Sequence, residues 1–396
     1  MRYPISPDYL AGMPEHMVKI YENLEDSILE YICEQFRTGD ANEKSIELIR
    51  LLQRRGLSLR EIEKRIKRTL GLTQRELNRI YDGAISRNRA FFTDTLDKLK
   101  LVFSKRRRQA LQAEIEAIRK QTEGEFANIT RSLGFALRGP DGRVTVSPVG
   151  DAYQKVLNDA VIQIQAGAFN YDDAVRQAIK RLSDSGLQWV DYESGWHNRV
   201  DVAARRAVMT GVAQISGKYS EALIEETGAE YVEVSAHRGA RDKGVGPMNH
   251  KSWQGRVYHV GGETVYDGVR YKDFAETTGY GTGEGLNGWN CRHKFYPFIP
   301  DIMERTYTDA ELAAIDPPPF EFEGKQYTMY EATQKQRQIE SAMRNVQRRM
   351  VGFKAAGDSE AYTNAKAKHT RLKQEYVAFS KAANLPLQLN RAKLAE

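Results

Sequence analysis

Four of the seven histidines, one of the two cysteines and two of the four tryptophans lie between His237 and His293. Imidazoles and thiols ligate transition metals and carry nucleophilic catalysis near neutral pH, so any chemistry in this chain belongs here. His237, His250, Cys291 and His293 are the donor types that tetrahedral zinc takes. Cys291 and His293 are alternate residues, which an extended chain turns to one face. Their spacing is closer than the knuckle pattern of zinc modules, and His237 and His250 lie in a loop-rich segment. The reading that these residues favour is a buried polar network. In it the histidines join Arg238, Arg241 and Arg292 through satisfied hydrogen bonds, with Trp253, Trp289, Phe295 and Tyr296 as apolar filling. No cofactor is expected on that reading, and zinc is the alternative. A nucleophile–base pair of Cys291 with His237 or His250 would require an exposed turn, yet no glycine elbow precedes the cysteine. A metal-dependent hydrolase or nuclease built on His250 with Asn249 or Asn290 lacks an acidic partner at a recognisable spacing. No catalytic residue is assigned, and the chain is not expected to be an enzyme.

The elements that would position these side chains follow from changes of hydrophobic period. Tyr231–Ser235 and Arg256–Val260 alternate as strands do, and Gly261-Gly262 turns the chain into Thr264–Tyr266. Thr278–Asn287 holds Gly279, Gly281, Gly283 and Gly285, a loop that can approach other backbone closely. Its spacing is not that of a dinucleotide-binding turn. Upstream, the pattern predicts helices over Asp151–Ala166 and Asp172–Ser183, and a longer one from Ser194 to Thr227. Downstream, Ile339, Met343, Val346, Met350 and Phe353 form one stripe, and Tyr362, Ala365, His369, Leu372, Tyr376 and Phe379 a second. Gly357-Asp-Ser359 joins them, which predicts an antiparallel helical hairpin with His369 packed on its seam.

The mixed segment also carries a resemblance. His237-Arg-Gly-Ala-Arg241, then His250-Lys-Ser-Trp-Gln-Gly255, then the glycine-rich approach to Asn290-Cys-Arg-His293-Lys-Phe-Tyr-Pro, resembles the phage minor capsid protein 2 family. These are minor head proteins of tailed bacteriophages and prophages, similar in their C-terminal module to Mu F-like head morphogenesis proteins. The likeness continues through Ala207-Val-Met-Thr-Gly-Val-Ala-Gln214 and Tyr330-Glu-Ala-Thr-Gln-Lys-Gln-Arg337. It covers the second half of the chain with several motifs in order. The motif core is His237, Arg238, Gly239, Arg241, His250, Trp253, Gln254, Gly255, Asn290, Cys291, Arg292 and His293. The resemblance implies a structural protein inside the procapsid, associated with the portal and other head proteins. It would act in head assembly and in DNA packaging or ejection, and be made in the host cytoplasm before it enters the virion.

The first 135 residues read as basic helices. Ile46, Ile49 and Leu52 recur at helical spacing, as do Ile62, Ile66 and Leu70. Ser58-Leu-Arg-Glu61 and Thr73-Gln-Arg-Glu76 have the form of capping boxes, with a break expected at Gly71 and a helical hairpin between them. A long helix is expected from Asn88 to Thr122. Gly139-Pro-Asp-Gly142 marks a turn between two short strands over residues 135–148. Net charge is +6, but residues 41–120 hold 21 Lys and Arg against 10 Asp and Glu. Lys105, Arg106, Arg107 and Arg108 are the densest point and the candidate contact to packaged DNA. Two cysteines make no disulfide framework, no apolar run is long enough for a membrane span, and the start lacks a secretory h-region. The fold class expected is mainly α with a small α+β module near 229–300 and a C-terminal antiparallel hairpin. The domains expected are 1–135, 149–318 and 328–396. Self-association through the heptad seams is a further expectation.

Overall fold

The computed structural model describes residues 4–37, 59–139, 141–191 and 195–388. In chain order the elements begin with α1 (Pro7–Gly12), α2 (Glu15–Glu34), α3 (Leu59–Lys98) and α4 (Lys105–Arg131). The strands β1 (Leu133–Arg138) and β2 (Val144–Pro148) follow, then α5 (Val149–Gln165), α6 (Tyr171–Ser185), β3 (Gln188–Val190) and β4 (His197–Arg199). Helix α7 (Val200–Thr227) leads to β5 (Tyr231–Val234), α8 (His250–Trp253), β6 (Val257–His259), β7 (Thr264–Tyr266) and β8 (Val269–Tyr271). After these come α9 (Phe274–Thr278), β9 (Phe295–Phe298), α10 (Asp309–Ala313), β10 (Phe320–Phe322) and β11 (Lys325–Tyr327). The chain closes on α11 (Met329–Ala356) and α12 (Ser359–Ala382). The protein is mainly α with small antiparallel sheets, as its periodicities predict.

Two compact units are assembled from interleaved segments. One comprises Met1–His16, Gln74–Glu125 and Arg205–Gln334, and the other Met17–Thr73, Phe126–Ala204 and Lys335–Glu396. The first unit holds the mixed module. Its three-stranded sheet has the order β6-β5-β9, with Val232 opposite Tyr258 on one side and Val234 opposite Phe295 on the other. Val232, Val234, Trp253, Tyr258, Phe274, Leu286, Cys291 and Phe295 form its buried core. Gly211 of α7, inside the Ala207–Gln214 motif, sits against Tyr81 of α3 and Thr122 of α4. The Tyr81 hydroxyl donates to Thr122 Oγ1 at 2.6 Å in the space that a side chain at 211 would take.

In the second unit β2-β1-β3-β4 form an antiparallel sheet, and β1–β2 is the hairpin expected over residues 135–148. The α11–α12 hairpin is also as expected. Ile339, Met343, Val346, Met350, Phe353, Ala365, Tyr376 and Phe379 are buried, Gly357 takes φ +79°, and Asp358 caps α12. His369 is half-buried on the seam, where the Gln347 amide meets its Nε2 at 3.1 Å. Beneath α11 lies a buried ionic network. Arg344 Nη2 reaches Glu25 Oε2 and Asp26 Oδ1 at 2.8 Å each, Arg348 Nη1 reaches Glu25 Oε2 at 3.4 Å, and Leu187 N donates to Glu25 Oε1 at 2.7 Å.

Three helix boundaries differ from expectation. α3 runs through Gly71 without a break, so residues 59–83 form no helical hairpin. The Thr73 hydroxyl donates back to Leu70 O at 2.9 Å, a bond made within a continuing helix. One interior glycine costs a helix only about 1 kcal/mol, which forty residues of amphipathic packing outweigh. The helix expected over Asn88–Thr122 is instead interrupted between Lys98 and Lys105. Lys100 takes φ +53°, Phe103 packs edge-on to Phe92 with centroids 4.6 Å apart, and Ser104 Oγ accepts from Arg107 N to cap α4. The helix expected from Ser194 starts at Val200, because His197–Arg199 pairs with β3 first. Ile46, Ile49, Leu52 and the Ser58 cap lie outside the described residues.

Candidate functional site

Each motif residue of the mixed module is held by a short, separate device. Gly239 takes φ +68° and donates its N–H to Asp316 Oδ1 at 2.7 Å. Arg238 Nε lies 3.0 Å from Met329 Sδ. Arg241 spans the glycine-rich loop, donating to Glu284 O at 3.3 Å and Trp289 O at 3.0 Å. Asn249 caps the single turn of α8, which begins at His250 and buries Trp253. The Trp253 indole donates to Pro247 O at 3.0 Å. Gly255 takes φ +69° with Leu312 and Ala236 against it, and Asn290 also takes a positive φ.

The glycine-rich loop closes on itself. A Cβ at Gly285 would lie 2.2 Å from Gly279 O, and one at Gly283 would lie 2.8 Å from the Trp289 ring. Gly279 and Gly285 therefore serve close backbone approach, Gly283 makes room for the Trp289 ring, and Gly281 has open space around it and takes φ +90°. Trp289 departs from expectation: 58% exposed, it covers Gly283 from outside and is not core filling. Trp253, Phe295 and Tyr296 are buried as expected.

Three of the four candidate ligands converge. Donor atoms of His250, Cys291 and His293 all lie within 4.8 Å of one another, and all three residues are buried. His237 stacks on His293 at a ring separation of 4.4 Å, with Nδ1 2.9 Å from Arg238 O and 3.0 Å from Arg292 Nη2. It stands beside the trio. Gln254 settles the proton positions. Its Oε1 accepts the His237 backbone N–H at 3.0 Å, so oxygen and not nitrogen faces inward, and the same oxygen lies 3.0 Å from His293 Nε2. His293 Nε2 must carry a proton, which leaves a lone pair on Nδ1, 3.6 Å from Cys291 Sγ. His250 Nε2 likewise donates to the backbone oxygen of Glu284 at 2.8 Å.

Burial governs the electrostatics. Desolvation holds His250 down at about 4 and His293 well below the usual imidazole range, the neighbouring His237, His250, Arg292 and Lys294 adding to the effect on His293. Burial pushes the Cys291 thiol up, against the pull of Lys294. Lys294 is the residue that sequence reasoning missed. Fully buried, its amine donates to Asn287 Oδ1 at 3.1 Å and His293 O at 2.8 Å, and desolvation lowers it to about 8. The signal that could have found it is a lysine directly before the apolar run Phe295–Phe298.

The basic turn Lys105–Arg108 opens α4, whose first turn contains no acidic residue. Lys105, Arg106 and Arg108 are exposed. Arg107 is half-buried and paired with Glu225 at 2.7 Å and Glu114 at 3.6 Å, so it is engaged within the protein. Among the described residues, no helix is long and apolar enough to cross a membrane.

Searches of curated proteins and of solved structures returned no match. The family model described as phage minor capsid protein 2 matches residues 5–379, nearly the whole chain and far beyond the second half where the motifs lie. This extent, over both units and not the mixed module alone, shows that the chain belongs to the phage minor capsid protein 2 family.

Proposed function

We propose that this capsid protein is a minor component of the head interior, bound to the portal and acting in head assembly and in the handling of DNA during packaging or ejection. The observation that carries the reading is the family match across residues 5–379. Its motif residues fix a loop-rich module in place: glycines at close approaches, arginines on backbone carbonyls, histidines buried. Side chains used in this way suit a structural part. The test is co-purification with the portal protein encoded beside it, followed by electron microscopy. A complex of defined stoichiometry is expected, and correctly assembled portal that stays free of this chain would count against portal association.

A DNA contact at α4 has its own support. Three exposed cationic side chains, Lys105, Arg106 and Arg108, stand at a helix N-terminus, where the peptide dipole already favours anions, and no acid in that turn offsets them. Phosphates would relieve this. Replacing Lys105, Arg106 and Arg108 by Gln is expected to weaken duplex binding. The slope of log K against log salt is expected to fall by about 0.9 for each phosphate that is no longer neutralised. An unchanged slope would remove this surface from consideration. Self-association is part of the same proposal, although the heptad seams are buried within the α11–α12 hairpin, and is read by light scattering of the pure chain.

A further inference from the structure

We propose that His250, Cys291 and His293 bind a thiophilic transition-metal ion, zinc(II) in the first instance, as a staple tying the start of α8 to the segment entering β9. Four observations carry it. The donor atoms of the three residues lie within 4.8 Å of one another, and all three residues are buried. The separation of Cys291 Sγ from His293 Nδ1 is 3.6 Å, and bond lengths of about 2.3 Å to sulfur and 2.0–2.1 Å to nitrogen give a tetrahedral edge of about 3.6 Å. The proton on His293 lies on the nitrogen away from sulfur, because Gln254 Oε1 is fixed as an acceptor by the His237 N–H. That tautomer points the His293 lone pair at the thiol.

The fourth observation is the outer layer. Ligating histidines characteristically donate their other N–H to a carbonyl or carboxylate, which holds the ring and raises its basicity. His293 does so through Gln254, and His250 Nε2 donates to Glu284 O at 2.8 Å. The thiol is a weak donor, so the thiol–imidazole contact that the cluster makes by itself sets little bonding against metal entry. Binding would release the Cys291 proton to solvent and leave a thiolate–metal bond. Arg241, Arg292 and Lys294 add positive potential nearby. This opposes a bare dication but favours the thiolate, while the sulfur and imidazole donors select against hard, oxygen-seeking cations such as magnesium. Three donors come from the protein, and among the described residues no fourth His, Cys, Asp or Glu joins the set.

The test uses the untagged full-length chain. Metal content is measured after purification without chelator, and cobalt(II) is then titrated into metal-stripped protein that circular dichroism shows to be folded. The expected result is about one zinc per chain, or one equivalent of cobalt with a thiolate-to-cobalt charge-transfer band. That band is expected to vanish in Cys291→Ser and to persist in Cys33→Ala, the only other thiol. Folded protein that carries no metal and develops no such band overturns the proposal. So does a band that survives in Cys291→Ser, or cobalt bound without sulfur charge transfer. Because the decisive spectrum is recorded on the unaltered chain, a variant that fails to fold does not protect the proposal.

Discussion

At the scale of single residues, Gln254 organises the mixed module although its side chain performs no chemistry. One carbonyl oxygen accepts two buried donors, the His237 N–H and His293 Nε2, and so sets the tautomer of the ring beside Cys291. Gln254→Leu keeps the volume and removes the acceptor that both donors share. Each unmet buried donor costs about 1–3 kcal/mol, so urea denaturation is expected to show a loss of about 2–4 kcal/mol with little change in m. A loss below about 1 kcal/mol would mean that the pair is satisfied in another way. The histidines, the cysteine and the glutamine were all legible as motif members. Their convergence was only partly so: residue types identified four donors, and the fold brought three together while placing His237 alongside.

Helices and loops show why spacing alone misjudges boundaries. Gly71 and Gly211 both occupy helix interiors, yet one has open space around it and the other has the Tyr81 hydroxyl where a Cβ would stand. Gly211→Ala is therefore expected to cost about 3 kcal/mol or more, through overpacking and loss of the Tyr81–Thr122 bond. Gly124→Ala in α4, where nothing lies within 4 Å, is expected to be neutral or to stabilise by up to about 1 kcal/mol. Thermal unfolding of the two variants side by side measures the contrast, and equal shifts would refute the packing account. The break between α3 and α4 escaped prediction because its causes are Phe103 folding onto Phe92 and Ser104 capping α4. Neither disturbs the helical period of the sequence. The β1–β2 turn and the α11–α12 hairpin were read correctly, since Gly-Pro-Asp-Gly and a capped glycine between two apolar stripes are local signals.

At the scale of the molecule, the interleaved path of the chain brings residues more than three hundred positions apart into one network. Glu25 and Asp26 on α2 meet Arg344 and Arg348 on α11. Burial alone would raise Glu25, but Arg348 and Arg344 overcome it and hold the carboxyl down at about 2. A group depressed in the folded state stabilises above its unfolded value of 4.5, and that contribution is lost as pH falls towards 2. Glu22, which burial shifts upward, works in the opposite sense. Acid titration of stability is expected to show a fall below about pH 4.5 that is shallower in Glu25→Gln. At neutral pH this variant is expected to cost about 3–5 kcal/mol, since it takes from buried Arg348 its carboxylate, while Arg344 keeps Asp26. A variant as stable as the parent would show that solvent enters the network.

The sequence by itself determined the helical class, the C-terminal hairpin, the strands β5, β6 and β7 of the mixed module and, through motif order, the family. Each of these is written in local periodicity, turn chemistry or residue identity, which do not depend on what the chain later packs against. Only the tertiary structure decided that α3 passes through Gly71, that Trp289 faces outward, that Lys294 is buried beside Cys291, and that Glu25 is paired with Arg344. Those outcomes depend on partners distant in sequence. Which side chain fills a space, or meets a charge, is settled by packing and desolvation once the segments come together.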